Sequence, residues 1–178
     1  MNNTVVIYKS RYGSTKKYAQ WISKTLNADI FESSKIKSSD LEKYKTIIYG
    51  GGLYASGIAG FSLIRKTFNK LKDKNIILFT VGLANPDNKE QFTPILNKNL
   101  SEEMKSKIKV FHFRGAIDYK KLNFIHRSMM AMLKKSLDRI TEDKRDEETK
   151  MMLETYGQVV NFTDKTLIAP LINFYNSL

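Results

Sequence analysis

Short apolar segments alternate with amphipathic helical segments along most of this 178-residue chain. The apolar segments are rich in Val, Ile, Tyr and Phe, as buried parallel strands are, and they cover residues 4–8, 29–31, 46–49, 76–81 and 108–113. Apolar residues recur at helical spacing over residues 14–26, 58–71 and 87–107. Because β-α-β crossovers are right-handed and set parallel strands side by side, this alternation predicts a parallel sheet with helices on both faces.

The loop after the first predicted strand has the composition of an anion-binding site. It contains the hydroxyl residues Ser10, Ser14 and Thr15 together with Gly13, directly before a predicted helix. Backbone N–H groups are unpaired at a helix N-terminus, and the helix dipole places about half a positive charge there. Three hydroxyls and a glycine indicate a phosphate-binding loop, and the simpler alternative is an ordinary helix cap made by one hydroxyl.

Two further loops are expected at the same edge of the sheet. Residues 50–57 read Gly-Gly-Gly-Leu-Tyr-Ala-Ser-Gly after the third strand, and residues 80–86 read Thr-Val-Gly-Leu-Ala-Asn-Pro after the fourth. In open parallel sheets, ligands bind beyond the carboxyl ends of the strands. Glycine backbone with flat or apolar side chains suits a planar ring held by backbone hydrogen bonds.

A strand, then Ser-x-Tyr-Gly-Ser-Thr, then a helix resembles the FMN phosphate loop of flavodoxins. The two glycine-containing loops fall where that family holds the isoalloxazine ring, and the resemblance covers most of the chain. It implies an α/β flavodoxin-like fold, a three-layer αβα sandwich with a five-stranded parallel sheet in the order 2-1-3-4-5. The segment Arg-Gly-Ala-Ile-Asp-Tyr at 114–119 and the basic, Met-rich helix after it resemble the branch that includes the menaquinone-dependent protoporphyrinogen oxidases.

The resemblance implies FMN as the cofactor and places its site on the three loops. The residues that would hold the phosphate, through hydroxyls or backbone N–H groups, are Ser10, Arg11, Tyr12, Gly13, Ser14 and Thr15. The residues that would line the two sides of the ring are Gly51, Gly52, Leu53, Tyr54, Val81, Gly82 and Leu83. Tyr54 is expected to stack on the ring. No side chain is predicted to be catalytic, and no metal ligand is predicted.

Net charge favours an anionic partner. The chain has 30 Lys and Arg against 18 Asp and Glu, a formal charge of +12, which suits nucleic acid, lipid headgroups or an acidic small molecule. No basic-aromatic RNA motif or recognition helix is evident, so we expect a redox partner or a small anionic substrate rather than nucleic acid. Positive charge around the phosphate loop should stabilise anionic reduced flavin and raise its potential, as an electron acceptor requires.

A basic amphipathic insertion is expected after the fifth strand, over residues 114–147. From Lys120 to Arg139 there are six basic residues and one acidic residue, a net charge of +5. The apolar residues at helical spacing are Leu122, Ile125, Met129, Met132, Leu133 and Leu137. This pattern is typical of a helix that lies on a membrane surface, binds an acidic partner or covers its own domain. A closing helix is expected at residues 148–161, followed by a tail at residues 163–178.

The absence of cysteine excludes disulfides, thiolate zinc sites and cysteine nucleophiles, so redox activity would need a bound cofactor. The N-terminus has no signal-peptide pattern. We therefore expect a single cytoplasmic domain over residues 1–178, with contact at the inner face of the membrane as an open alternative. The resemblance implies an FMN-dependent oxidoreductase that oxidises a porphyrinogen-type substrate and passes electrons to a quinone. The alternatives are a carrier flavodoxin without its own substrate and a flavodoxin-fold binding module that lacks FMN.

Overall fold

A central parallel sheet organises the computed structural model, which describes residues 2–178. The strands of this sheet are β1 (Thr4–Lys9), β2 (Asp29–Glu32), β3 (Thr46–Tyr54), β4 (Gly57–Ile58), β5 (Asn75–Gly82) and β6 (Lys109–Arg114). The five parallel strands lie in the order β2-β1-β3-β5-β6, and the short β4 pairs antiparallel with the end of β3. Counted without β4, this is the predicted order, and the predicted α/β flavodoxin-like fold is confirmed.

Helices cover both faces of the sheet. The insertion also contains one strand of a separate two-stranded antiparallel ribbon. The helices are α1 (Ser14–Leu26), α2 (Ser62–Thr67), α3 (Thr93–Asn99), α4 (Glu102–Lys107), α5 (Phe124–Asp138), α6 (Glu147–Glu154) and α7 (Ala169–Asn176). The ribbon consists of β7 (Ala116–Asp118) and β8 (Val159–Asn161), which pair antiparallel. Among residues 2–178, no helix is both long enough and apolar enough to cross a membrane.

Each face of the sheet has its own apolar core, because alternate side chains of a strand point to opposite faces. Val5 of β1 belongs to the core that includes Met104 of α4. Val6 belongs to the other core, with Tyr18 of α1 and Leu171 of α7. Since both faces are covered, the central strands are apolar along their whole length, which explains why they are easy to recognise in the sequence.

The long helix predicted over residues 87–107 is interrupted in the structure. Leu100 adopts an extended conformation between α3 and α4, with φ −117° and ψ 138°. The Ser101 hydroxyl then accepts a hydrogen bond from the Met104 N–H at 3.3 Å and caps α4. A serine that caps a new helix competes with continuation of the old one, so one predicted helix becomes two.

The prediction of a closing helix at residues 148–161 is wrong. Only α6 forms there; it has no buried residue, and the chain continues into β8. The core is closed instead by α7 in the predicted tail, where Ile168 and Leu171 are buried. Because α7 is mostly apolar and α6 carries charged and apolar residues together, packing α7 on the sheet buries more apolar surface.

His112 of β6 makes the stability of the fold sensitive to acid. Its ring stacks on Phe92 with 3.7 Å between centroids, and its Nδ1 lies 2.6 Å from the buried Thr80 hydroxyl. Burial lowers the pKa of His112 to about 4, against about 6.5 in an unfolded chain. Below pH 6.5 the unfolded state therefore binds the proton first, and the free energy of unfolding should fall by about 1–2 kcal/mol between pH 6.5 and 4, allowing for solvent screening of a partly exposed ring.

Urea denaturation of wild type and His112→Asn checks this expectation, because an amide can replace Nδ1 as the partner of Thr80 without titrating. The stability advantage of wild type over the variant should shrink as the pH falls from 7 to 4. Titrations common to both proteins cancel in this difference. An advantage that stays constant across this range would contradict the assigned role of His112.

Candidate functional site

A cavity of about 430 Å³ lies at the carboxyl end of the parallel sheet. Its walls come from the loop after β1, from the ends of β3 and β5 with the residues that follow them, and from the insertion, which covers the cavity. The lining residues are Tyr12, Ser14, Thr15, Leu53, Tyr54, Ala55, Ser56, Val81, Gly82, Leu83, Gly115, Ala116, Ile117, Leu122, His126, Met129, Met130 and Leu133. The three loops singled out in the sequence thus meet around one space, as the topology of the sheet requires.

Some of the predicted site residues do not line the cavity. Those that do not line the cavity are Ser10, Arg11, Gly13, Gly51 and Gly52. Gly51 faces β4, since a Cβ there would lie 2.5 Å from Ile58 Cγ2. Gly52 lies under the Tyr54 ring, and its carbonyl accepts a hydrogen bond from the Ala59 N–H. A Cβ at either glycine would therefore meet the chain's own atoms, and the role of all five residues in binding FMN stays a prediction.

The phosphate loop presents the open N-terminus of α1. The N-cap residue is Gly13, with φ 98°, and no side chain caps the helix, so the alternative of a hydroxyl cap does not hold. A positive φ of this size suits glycine and turns the backbone sharply before the helix. The first N–H groups of α1 are then left without intrahelical partners, which is the geometry that binds anions.

Two serine hydroxyls hold this loop in place and keep a proton to donate. Ser10 Oγ accepts a hydrogen bond from the Gly13 N–H at 3.1 Å, and Ser14 Oγ accepts one from the Ala116 N–H at 3.0 Å. Because a hydroxyl that accepts can still donate its own hydrogen, both serines can donate to an anion. Thr15 is 3% exposed and lines the cavity in the first turn of α1.

The backbone after β6 is part of the site, although the sequence analysis did not assign it. The Gly115 N–H donates to the Gly82 carbonyl, with 2.6 Å between nitrogen and oxygen. Tyr18 of α1 donates its hydroxyl to the Arg114 carbonyl at 2.7 Å. These bonds tie the start of the insertion to α1 and to the end of β5. Gly115, directly after the fifth parallel strand, was the sequence signal that could have revealed this part of the site.

An aromatic cluster closes one side of the cavity. His126 of α5 stacks on Tyr54, with ring centroids 5.0 Å apart and planes 14° apart, and its Nδ1 lies 2.8 Å from the Tyr12 hydroxyl. Burial and the positive charge of Arg11 both lower the pKa of His126, which favours the neutral form of the ring. Stacked aromatic rings lie about 3.5 Å apart, so the face of Tyr54 that His126 covers has no room for a second ring. A flavin on this face of Tyr54 would therefore have to displace His126.

The insertion supplies a roof that the sequence did not predict in detail. The apolar side chains in residues 120–139 were expected to share one helix face. In the structure some face the cavity and others face solvent. Met129, Met130 and Leu133 line the cavity, whereas Ile125 and Met132 are exposed to solvent. Helical spacing alone does not say which part of a broad apolar face turns toward the domain.

The lining suits a flat, uncharged ring with an anion at one end. None of the described lining residues is Asp, Glu, Lys or Arg, and most are apolar. The anion donors are concentrated at the phosphate loop, at the edge of the same space. Among residues 2–178 no group of three or more His, Asp or Glu side chains could hold a metal ion. The residues present would fit FMN, whose phosphate the N-terminus of α1 could bind.

Comparison with protein families agrees with this fold. The sequence model of the flavodoxin domain matches residues 5–146, which is most of the chain. The chain therefore belongs to the flavodoxin domain family. No curated protein matches it.

Solved structures of similar fold share little sequence with this chain. A flavodoxin from the domain Archaea is 15% identical, with a TM-score of 0.41, over 85% of this chain and 94% of that one. A flavoprotein in complex with FMN from Lactobacillus acidophilus is 16% identical, with a TM-score of 0.42, over 64% of this chain and 93% of that one. A flavodoxin, WrbA-like protein from Agrobacterium tumefaciens is 19% identical, with a TM-score of 0.42, over 62% of this chain and 82% of that one.

Proposed function

We propose that this protein is an FMN-dependent oxidoreductase that acts on a substrate of its own beneath α5. The observation that carries the proposal is the roof of the cavity, made by His126, Met129, Met130 and Leu133 of the insertion. A carrier must expose its flavin edge to a protein partner, whereas a roofed cavity can enclose a small molecule and exclude water. Methionine side chains adapt their shape to an apolar ligand.

The chain's own groups would bind and orient the cofactor. Hydroxyls of Ser10, Ser14 and Thr15 and the first N–H groups of α1 would hold the phosphate, and the loops after β3 and β5 would flank the ring. Bound FMN would supply the hydride and electron transfer chemistry. Membership of the flavodoxin domain family and the fit of the cavity support this assignment.

Charge near the phosphate loop supports an acceptor role for the flavin. Lys9 is paired with Glu32 at 2.8 Å, so its charge is largely compensated. Arg11, Lys16 and Lys17 remain around the loop. Their positive charge would stabilise anionic reduced flavin, which raises the potential and favours oxidation of a substrate over low-potential electron carriage.

For the substrate we propose a porphyrinogen-type dicarboxylate, with the electrons passed on to a quinone. The sequence resemblance of residues 114–119 to the protoporphyrinogen oxidase branch suggests this substrate class. A second depression of about 410 Å³ adjoins the phosphate loop and includes Lys17 and Lys121 among its lining residues. These two ammonium groups could pair with carboxylates while the macrocycle lies against apolar side chains.

Rapid mixing under anaerobic conditions tests the proposal. Protein loaded with FMN should lose its flavin absorbance when mixed with protoporphyrinogen and regain it on addition of a water-soluble quinone. Met130→Trp should fill part of the cavity and slow the reduction by about tenfold, which corresponds to about 1.4 kcal/mol and lies within the usual cost of overpacking. Met132→Trp is the matched control, because Met132 is 66% exposed on the outer face of the same helix.

Other outcomes would separate the alternatives. Protein that stays colourless after titration with FMN would overturn the proposal and favour a binding module without flavin. Protein that binds FMN, forms a stable semiquinone at very low potential and ignores the porphyrinogen would be a carrier. Equal reduction rates in the two tryptophan variants would show that the roof does not contact the substrate.

A further inference from the structure

The outer face of α5 carries apolar side chains that no other part of the described chain covers. Phe124 is 86% exposed, Ile125 65% and Met132 66%, and no residue of α5 is buried. Successive helix residues are about 100° apart, so these three side chains fall within an arc of about 100°. Met130, which lines the cavity, projects from the opposite side of the helix. Large exposed apolar side chains grouped on one helix face mark an interaction surface.

Basic residues flank and alternate with this apolar group along the chain. Lys120 and Lys121 precede the helix, and Arg127, Lys135 and Arg139 lie along it or just after it. The acidic residue of this segment, Asp138, is paired with Lys134 at 2.6 Å. Asp118 contacts Lys121 at 3.3 Å, but that lysine side chain is 79% exposed. The surface therefore keeps a strong positive charge next to its apolar side chains.

We propose that this outer face of α5 docks on an anionic lipid surface. Headgroups would meet the lysines and arginines, while Phe124, Ile125 and Met132 would enter the boundary between headgroups and acyl chains. A second copy of the chain fits less well, because each molecule carries a formal charge of +12 and two such faces repel. An acidic protein would satisfy the charges but would leave three large apolar side chains without a defined partner. The proposal is independent of FMN binding.

Cosedimentation with vesicles tests the docking. Wild-type protein should bind vesicles of equal parts phosphatidylcholine and phosphatidylglycerol and not vesicles of phosphatidylcholine alone, and added salt should weaken the binding. The Phe124→Ser/Ile125→Ser/Met132→Ser variant should bind the anionic vesicles at least about tenfold more weakly, because each lost side chain removes apolar area from the boundary. Since these side chains are exposed, the variant should keep its circular dichroism spectrum.

The matched control removes exposed apolar side chains from elsewhere. Val159 is 69% exposed and Leu178 is 51% exposed, and Val159→Ser/Leu178→Ser should bind vesicles as wild type does. The proposal is overturned if anionic vesicles do not bind, or if the α5 variant binds them as tightly as wild type. A concentration-dependent dimer that disappears in the α5 variant, without vesicle binding, would identify the face as a self-association surface instead. Preferential binding of polyglutamate would identify an acidic protein partner.

Discussion

FMN should bind the Ser14→Ala/Thr15→Val variant at least about 100-fold more weakly than wild type, whereas riboflavin should bind the two proteins equally. Each substitution removes one hydroxyl donor at the N-terminus of α1. A hydrogen bond to a charged group contributes about 1.5–3 kcal/mol, so two of them account for a loss of this size. Riboflavin has no phosphate and cannot use either donor. Quenching of flavin fluorescence measures both dissociation constants.

The control for this variant is Thr93→Val, which removes a hydroxyl at the start of α3, a helix outside the cavity. It should leave both dissociation constants unchanged. Ser14 also accepts a hydrogen bond from the Ala116 N–H, so Thr15→Val alone serves as a second variant in which this bond is kept. An equal loss of affinity for FMN and for riboflavin would mean that the substitutions had distorted the loop and had not simply removed phosphate donors. No loss of FMN would refute the assignment of the phosphate loop.

Gly50→Ala should lower the free energy of unfolding by about 3 kcal/mol, at the upper end of the usual cost of overpacking. Gly50 and Phe79 are neighbours in the register of β3 and β5. The Phe79 ring is fully buried and lies against Gly50, and a Cβ there would overlap it. The strands are central in the sheet, so neither backbone can move away cheaply. Urea denaturation measures the loss.

A double-mutant cycle separates this contact from a general intolerance of β3 to alanine. Phe79→Leu removes ring atoms that would meet the new Cβ, so Gly50→Ala should cost at least about 1 kcal/mol less in the Phe79→Leu background. If its cost is the same in both backgrounds, the clash with the ring is not the cause. Gly157→Ala is not a suitable control, because Gly157 has φ 84° and strain would enter there for a different reason.

The glycines at 50–52 show where sequence reasoning reached its limit. The sequence predicted a loop here, whereas the structure places all three glycines within β3, and the turn follows at Ala55 and Ser56. The expectation that Gly51 and Gly52 line the ring of a ligand treated glycine as a sign of close ligand approach. In the structure, Gly51 makes room for Ile58 of the β4 hairpin and Gly52 lies under Tyr54. A glycine in a strand indicates that another group approaches the backbone closely, and only the tertiary structure shows whether that group is a ligand or another part of the chain.

Histidine 126 illustrates a contact that no local pattern could reveal. It lies more than a hundred residues from Tyr12 along the chain, yet its Nδ1 is 2.8 Å from the Tyr12 hydroxyl. Its place in the cavity depends on how the whole insertion folds back over the sheet. Hydrophobic periodicity identified the helix that carries it, but not the face that the helix turns inward.

The positions of the parallel strands and the place of the candidate site at their carboxyl ends follow from local features, whereas the strand order was implied by the resemblance to flavodoxins. Buried parallel strands need continuous apolar runs, and the handedness of crossovers leaves few ways to connect them. The choice of α7 over α6 to close the core, and the division of α5 between cavity and solvent, do not follow from such features. Several amphipathic segments compete for the same apolar surface, and the outcome depends on long-range packing that each segment's own pattern does not contain.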